Sequence, residues 1–163
     1  MTALIHPVSG ARISSQFGVD RGSHTHGGVD FAASCGVPVV AAASGRVKVA
    51  RWSDTAGNMI VLDHGGGFDT RYFHLSRFAV GTGDYVKQGD VIGYVGNTGN
   101  SRGCHLHFET RTNGKPIDPV RLLQGGVNMA GSSALDLLGG MDDNTLLLMG
   151  GAFLLLLVVL ATR

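Results

Sequence analysis

Apolar and polar residues alternate with a period of two along much of the chain, and this pattern predicts β-strands. It is clearest in residues 105–109, His-Leu-His-Phe-Glu. On such a strand His105 and His107 share one face, while Leu106 and Phe108 enter a hydrophobic core. Imidazoles at positions i and i+2 lie about 7 Å apart along the backbone, close enough to act on one centre. Two exposed histidines on an edge strand are the competing interpretation.

Further segments of strand length precede this one. They are residues 7–17, 26–32, 37–43, 45–51, 59–63 and 70–75. Short Val and Ile segments separated by glycines predict a compact β-meander over residues 80–96, and Asn113-Gly114 predicts a hairpin turn. The chain has 26 glycines, and Glu109 is its single Glu. That composition is typical of strands joined by tight turns, so we expect an all-β domain with an antiparallel core.

The pattern changes after residue 124, and we expect three parts. Residues 1–124 form the domain, and residues 125–144 form a flexible linker rich in small side chains. Residues 145–162 carry no charge and are mostly Leu, Val and other apolar residues. A membrane span takes about 20 residues, with a lower limit of about 17. The segment therefore predicts a single C-terminal transmembrane helix.

Five side chains of the domain suit metal chemistry. A catalytic zinc site takes three protein ligands of the His, Asp or Glu type and leaves one position for water or substrate. His26, Asp30 and His107 supply such a set. His74 and His105 would then flank the open position, taking protons from water or stabilising a developing oxyanion.

These motifs, in this order, resemble the M23 (lysostaphin-type, LytM) peptidoglycan endopeptidases over about residues 7–124. The matching segments are residues 15–18, 26–30, 36–41, 57–58, 72–75, 86–93 and 105–109. The resemblance implies an antiparallel β core of the duplicated hybrid motif-like type. It implies Zn²⁺ bound by the positions of His26, Asp30 and His107, and catalytic histidines at His74 and His105. It also implies cleavage of peptide bonds in the stem or cross-bridge of bacterial peptidoglycan.

Two other classes compete with a wall hydrolase. A bacterial envelope factor of the same family can bind peptidoglycan and activate another hydrolase without cleaving, but such factors usually lack a ligand, and this chain lacks none. Residues 84–92 also resemble the half-barrel of lipoyl and biotin carrier domains. Lys87 lies within a turn before a strand and not at an exposed hairpin tip, so shared architecture is the better explanation.

Several residues near these motifs carry weaker expectations. Glu109 lies on the face of His105 and His107 and would orient a metal ligand. Tyr72 either places its hydroxyl near the substrate or packs on the sheet. His64, at the end of a strand, is expected at a turn or core edge. The remaining histidines, His6 and His24, are expected at the surface.

Cys35 and Cys104 are too few for a disulfide scaffold. Cys35 follows the segment of Asp30, and Cys104 directly precedes His105. The implied metal would bring those two segments together. We therefore expect the cysteines to lie close and to form a disulfide, two separate small residues being the alternative.

Charge and segment order predict where the enzyme acts. A net charge of +1 gives no indication of nucleic-acid binding. The first residues show no signal peptide. A chain without a signal peptide but with a C-terminal span would suit a bacteriophage virion or lysis protein. A bacterial envelope enzyme is the alternative. Asp142 and Asp143 precede the span and Arg163 follows it, so the domain would face the cell wall or periplasm. The expected partners are the peptidoglycan peptide, a lipid membrane, and virion or envelope proteins.

Overall fold

The computed structural model describes residues 3–124, which form eleven strands and one short helix. The strands are β1 (Arg12–Ser15), β2 (Val29–Ala32), β3 (Pro38–Val40), β4 (Gly45–Ser53), β5 (Gly57–Asp63), β6 (Phe68–Leu75), β7 (Arg77–Phe78), β8 (Tyr85–Val86), β9 (Val91–Tyr94), β10 (His105–Thr112) and β11 (Lys115–Ile117), and the helix is α1 (Pro119–Gln124). Each segment with a period-two pattern contains at least part of an observed strand.

The strands pair into two antiparallel sheets. The large sheet has the order β1-β2-β10-β6-β5-β4-β8, with β11 added beside β10. The small sheet has the order β3-β9-β7. The expected all-β antiparallel core is therefore confirmed. The central strand β10 lies between β2 and β6, which are distant from it in sequence.

The core lies on one face of the large sheet. Alternate side chains of β2, β6 and β10 enter it, and Phe31, Tyr72 and Phe108 are each 1% exposed or less. The Phe108 ring lies 5.2 Å from that of Tyr72 and 6.2 Å from that of Phe31, measured between centroids. Burying a large apolar side chain stabilises the fold by about 1.5–3 kcal/mol. Because these residues fix the strand faces, the histidines between them must point to the opposite side.

The β-meander expected over residues 80–96 is wrong. β8 pairs with β4 in the large sheet, whereas β9 pairs with β3 and β7 in the small one. The turn between them is closed by the Lys87 N–H, which donates to Asp90 Oδ2 at 2.8 Å. Each short strand therefore finds a distant partner instead of its neighbour, and local alternation carries no information about that choice.

The expected disulfide is present and links the two ends of the site region. Cys35 follows β2 and Cys104 directly precedes β10, with Cα atoms 5.2 Å apart. Both residues are exposed. The bond ties segments 69 residues apart in sequence.

The expected linker (125–144) and transmembrane helix (145–162) lie outside the described residues. Within residues 3–124, no helix is long and apolar enough to cross a membrane.

Candidate metal centre

Strand pairing places two of the predicted ligands side by side. β2 runs antiparallel to β10, and Asp30 lies directly opposite His107. His26 reaches the same place from a turn before β2, and not from a strand. Its backbone N–H donates to the Val19 carbonyl at 2.8 Å, and its carbonyl accepts from the Gly18 N–H at 2.9 Å.

One atom from each of these side chains converges on a small volume. His107 Nδ1 lies 2.8 Å from Asp30 Oδ1, and His26 Nε2 lies 3.1 Å from the same oxygen. The two nitrogens are 3.0 Å apart. All three side chains are buried, with at most 9% of each residue exposed. The structure thus brings together the residues predicted as metal ligands.

Outer hydrogen bonds determine which nitrogen of each ring faces the centre. His26 Nδ1–H donates to the Gln16 carbonyl at 2.7 Å, and His107 Nε2–H donates to Glu109 Oε1 at 3.2 Å. The inner nitrogen of each neutral ring therefore carries a lone pair. Glu109 is itself held by Arg111 Nε, 2.8 Å from Oε2. Glu109 occupies the orienting position expected of it, in a carboxylate–histidine arrangement common beside metals.

The electrostatics of the centre favour a cation. Burial alone would raise the pKa of Asp30, but the adjacent His107 ring and the hydrogen bond from Arg21 hold that pKa well below its usual range. Burial alone would lower the pKa of His107, but the adjacent Asp30 and Glu109 carboxylates outweigh burial and raise the pKa. Two buried carboxylates are thus ionised beside two imidazoles. Two imidazole nitrogens and a carboxylate oxygen match the donor set of a catalytic zinc site, so these residues fit Zn²⁺.

The two predicted catalytic histidines lie beside this centre. His74, near the end of β6, is buried, and its ring centroid lies 4.8 Å from that of His105. His74 Nδ1–H donates to the Thr98 carbonyl, and His105 Nδ1–H to the Gly103 carbonyl, each at 2.8 Å. Each ring thus keeps Nε2 free, and His105 Nε2 is 3.8 Å from Asp30 Oδ1. The structure places both rings at the centre, and their catalytic roles stay predictions.

A strained backbone presents His74. Its φ is +63°, in the left-handed region, where a side chain costs about 1–3 kcal/mol unless its surroundings hold it. The His74 N–H donates to the Ala56 carbonyl at 2.8 Å. Gly57 allows the Thr98 loop to pack directly on the turn after Ala56, because a Cβ at Gly57 would overlap Thr98. The loop that orients the His74 ring is therefore anchored by a contact only glycine permits.

Phe73 packs against the outer side of the metal centre. Its ring stacks on His107 with centroids 5.2 Å apart and planes 11° from parallel. The register places Phe73 opposite His107 in the β6–β10 pairing. The stack limits rotation of the His107 ring, whose Nε2–H is already held by Glu109.

Sequence reasoning missed four groups that support the centre, namely the Arg21 and Arg111 side chains and the backbone carbonyls of Gln16 and Thr98. Arg111 could have been found, because it is two residues after Glu109 and so shares its strand face. The Gln16 and Thr98 contributions are backbone carbonyls, which any residue supplies, so no residue type marks them.

Other residues are placed away from the chemistry. The Tyr72 residue is fully buried and its hydroxyl accepts the Ala42 N–H at 2.9 Å, so the packing alternative is correct and the substrate-contact alternative is wrong. His64 bonds the Ser44 carbonyl and Thr70 Oγ1 at the edge of the core, as expected. His24 is exposed and contacts Ser23.

Comparison with known proteins identifies relatives of this site and fold. The model of Peptidase family M23 matches residues 24–119. The chain is 44% identical over 121 residues to "DD-carboxypeptidase/endopeptidase Mpg" of Neisseria meningitidis, covering 71% of this chain and 28% of that protein. It is 40% identical to "Peptidoglycan DD-endopeptidase ShyA" of Vibrio cholerae, covering 68% and 27% respectively. The chain thus spans less than a third of the length of these curated relatives.

Solved structures agree with this comparison. A zinc-containing peptidase from Vibrio cholerae superimposes with a TM-score of 0.68 at 36% identity, covering 72% of this chain and 39% of that one. The catalytic domain of lysostaphin from Staphylococcus simulans superimposes with a TM-score of 0.65 at 36% identity, covering 70% and 92%.

Proposed function

Because the chain belongs to peptidase family M23, we propose that it is a zinc-dependent endopeptidase that hydrolyses peptide bonds in the stem or cross-bridge of bacterial peptidoglycan. The observation that carries the proposal is the convergence of His26 Nε2, Asp30 Oδ1 and His107 Nδ1, each within 3.1 Å of the other two. The Vibrio cholerae relative is named a peptidoglycan DD-endopeptidase, and the Neisseria meningitidis relative a DD-carboxypeptidase/endopeptidase. These names support this substrate class.

The ligand set defines what the chain contributes to hydrolysis. Zn²⁺ supplies Lewis acidity, which polarises a carbonyl and makes water a nucleophile at neutral pH. His26, Asp30 and His107 would hold the ion, and His74 and His105 lie beside these three residues with Nε2 unoccupied. Glu109 and the Gln16 carbonyl keep the two ligand imidazoles in the tautomers that binding requires.

His74 and His105 handle protons on the open side. Burial lowers the pKa of His74 to about 4, so its ring is neutral at neutral pH and Nε2 can accept a proton. The proton moves from the attacking water to such a nitrogen, and from there to the amine that leaves when the peptide C–N bond breaks. His105 Nε2 faces the same space beside Asp30. Once that nitrogen has taken up a proton, it can donate to the carbonyl oxygen and stabilise the negative charge that develops there.

Mass spectrometry of fragments released from purified peptidoglycan tests this proposal. The full chain should release soluble peptide-containing fragments, lose that activity with a chelator, and regain it with added zinc. His26→Ala should abolish release, whereas His24→Ala, an exposed histidine two residues away, should not. Binding to peptidoglycan without any released fragment would instead favour the alternative, a family member that binds peptidoglycan without cleaving it. Fragment release that persists in the presence of the chelator would contradict the proposed dependence on zinc.

The proposed place of action is a membrane that faces a cell wall. Residues 145–162 would anchor the chain by one span, with residues 125–144 as the tether. The uncharged run and Arg163 at its end support this arrangement. A phage virion or lysis role, or alternatively a bacterial envelope role, fits an anchored hydrolase. The full chain should then need detergent for extraction, and protease should reach residues 1–124 only from the wall-facing side.

A further inference from the structure

The two oxygens of the Asp30 carboxylate have different neighbours. Oδ1 faces His26 Nε2, His107 Nδ1 and, at 3.8 Å, His105 Nε2. Oδ2 turns away from that group and accepts from Arg21 Nη2 at 2.7 Å. One oxygen is thus directed to the metal centre, and the other is occupied by a cationic donor.

Arg21 is delivered by the same turn that delivers His26. Its backbone N–H donates to the His24 carbonyl at 2.9 Å, and Asp20 bridges to Thr25 in the same short ladder. Nη2 also donates to Ser15 Oγ at 3.0 Å. Ser15 is opposite Asp30 in the β1–β2 pairing. The guanidinium is therefore anchored to the strand next to the carboxylate it holds.

A guanidinium beside a metal ligand has two opposing effects. Its charge repels a metal cation and withdraws electron density from the carboxylate, which weakens binding. Its hydrogen bond fixes the orientation of the carboxylate and prevents Oδ2 from also turning to the metal, which strengthens binding at the geometry the imidazoles require. The Arg21 side chain is 39% exposed, so water screens the repulsion, while the short bond to Oδ2 is unaffected. We expect orientation to dominate.

We propose that Arg21 is a positioning residue that holds Asp30 as a one-oxygen metal ligand. This inference rests on the proposed zinc-dependent function. Arg21 acts through Asp30, and the property it controls is the affinity and geometry of the ion. Loss of such a partner around a metal ligand typically lowers metal affinity 10–100-fold.

Zinc competition with a chromogenic chelator tests the inference on the full chain. Arg21→Ala should bind zinc 10–100-fold more weakly than the parent chain. Arg21→Lys should bind with intermediate affinity, because an ammonium can reach Oδ2 but lacks the planar fork. The Co²⁺-substituted Arg21→Ala protein should also show an altered visible absorption spectrum, since Asp30 is free to change its coordination.

Arg71→Ala is the matched control. Arg71 Nε pairs with Asp69 Oδ1 at 2.8 Å on β6, with side-chain exposures of 26% and 12%, but Asp69 is not among the converging ligands. This variant should keep the zinc affinity of the parent.

The outcomes separate this inference from the function it rests on. A parent chain that binds no zinc contradicts the proposed function itself. A parent that binds zinc, with an Arg21→Ala variant of equal or higher affinity, overturns only the role of Arg21. If Arg21→Ala does not fold, Arg21→Lys decides, and an affinity and a Co²⁺ spectrum equal to those of the parent would overturn the inference.

Discussion

Single hydrogen bonds decide which nitrogen each histidine of the metal centre presents. His74 and His105 donate through Nδ1 to backbone carbonyls and keep Nε2 free. We predict that His74→Ala and His105→Ala each lower the rate of wall hydrolysis by about 10²-fold or more, because each removes a positioned proton-transfer group. Zinc content, measured by metal analysis, should stay at the parent level in both. Near-parent activity in either variant would remove that residue from the mechanism.

Tyr72 belongs to the core and not to the reaction. Its hydroxyl accepts the buried Ala42 N–H and contacts Thr70 Oγ1 at 3.0 Å. Tyr72→Phe should lower the free energy of unfolding by about 1–3 kcal/mol, because a buried N–H loses its acceptor. Activity per folded molecule should not change. Denaturant titration measures the stability, and Tyr85→Phe, at a tyrosine 66% exposed, should shift it by no more than about 0.5 kcal/mol.

At the scale of elements, alternation along β10 was sufficient to predict its two faces. Leu106 and Phe108 must enter the core, so His105 and His107 face the other way, and the shared face of Glu109 follows from the same period. His26 was predicted as a ligand from its spacing to Asp30 and from the family motif. His26 acts from a turn because its backbone forms hydrogen bonds with residues 18 and 19. The alternation of apolar and polar residues does not predict those bonds.

Short strands were the least predictable elements. β8 has two residues and β9 has four, too few for alternation to identify a partner. Their positions in the sheets depend on which distant strand pairs with them. The support of His74 by the Thr98 loop is a similar case, since a carbonyl acceptor can come from any residue.

The contact between the loop after β9 and the start of β5 gives a prediction at this scale. Gly57 has a φ of +64° and no room for a Cβ beside Thr98. Gly57→Ala should displace the loop, lower the free energy of unfolding by about 1–3 kcal/mol, and reduce hydrolysis because His74 loses its orientation. Gly81→Ala is the control, since the nearest atom to its Cβ would be 3.7 Å away and its φ is not positive. Parent-like activity in Gly57→Ala would show that the loop does not orient His74.

At the scale of the whole molecule, the disulfide links Cys35 and Cys104, which lie 69 residues apart in the sequence and next to the strands of the site. Replacing both Cys35 and Cys104 with Ser should lower the free energy of unfolding by about 2–4 kcal/mol, mainly because the unfolded chain loses a cross-link. A reductant should destabilise the parent by a similar amount and leave the double variant unchanged. Detection of two free thiols in the purified, unreduced parent would contradict the bond.

The position of β10 in the large sheet has a consequence for biosynthesis. β10 is the tenth strand to be made, yet it lies between β2 and β6 and carries His107 and Glu109. A ribosome that has not passed residue 107 has produced neither the third ligand nor the strand that joins the two halves of the sheet. Translation products that end before residue 107 therefore lack one of the three proposed zinc ligands. On the proposed function, the order of synthesis keeps chains that end before this strand inactive as hydrolases.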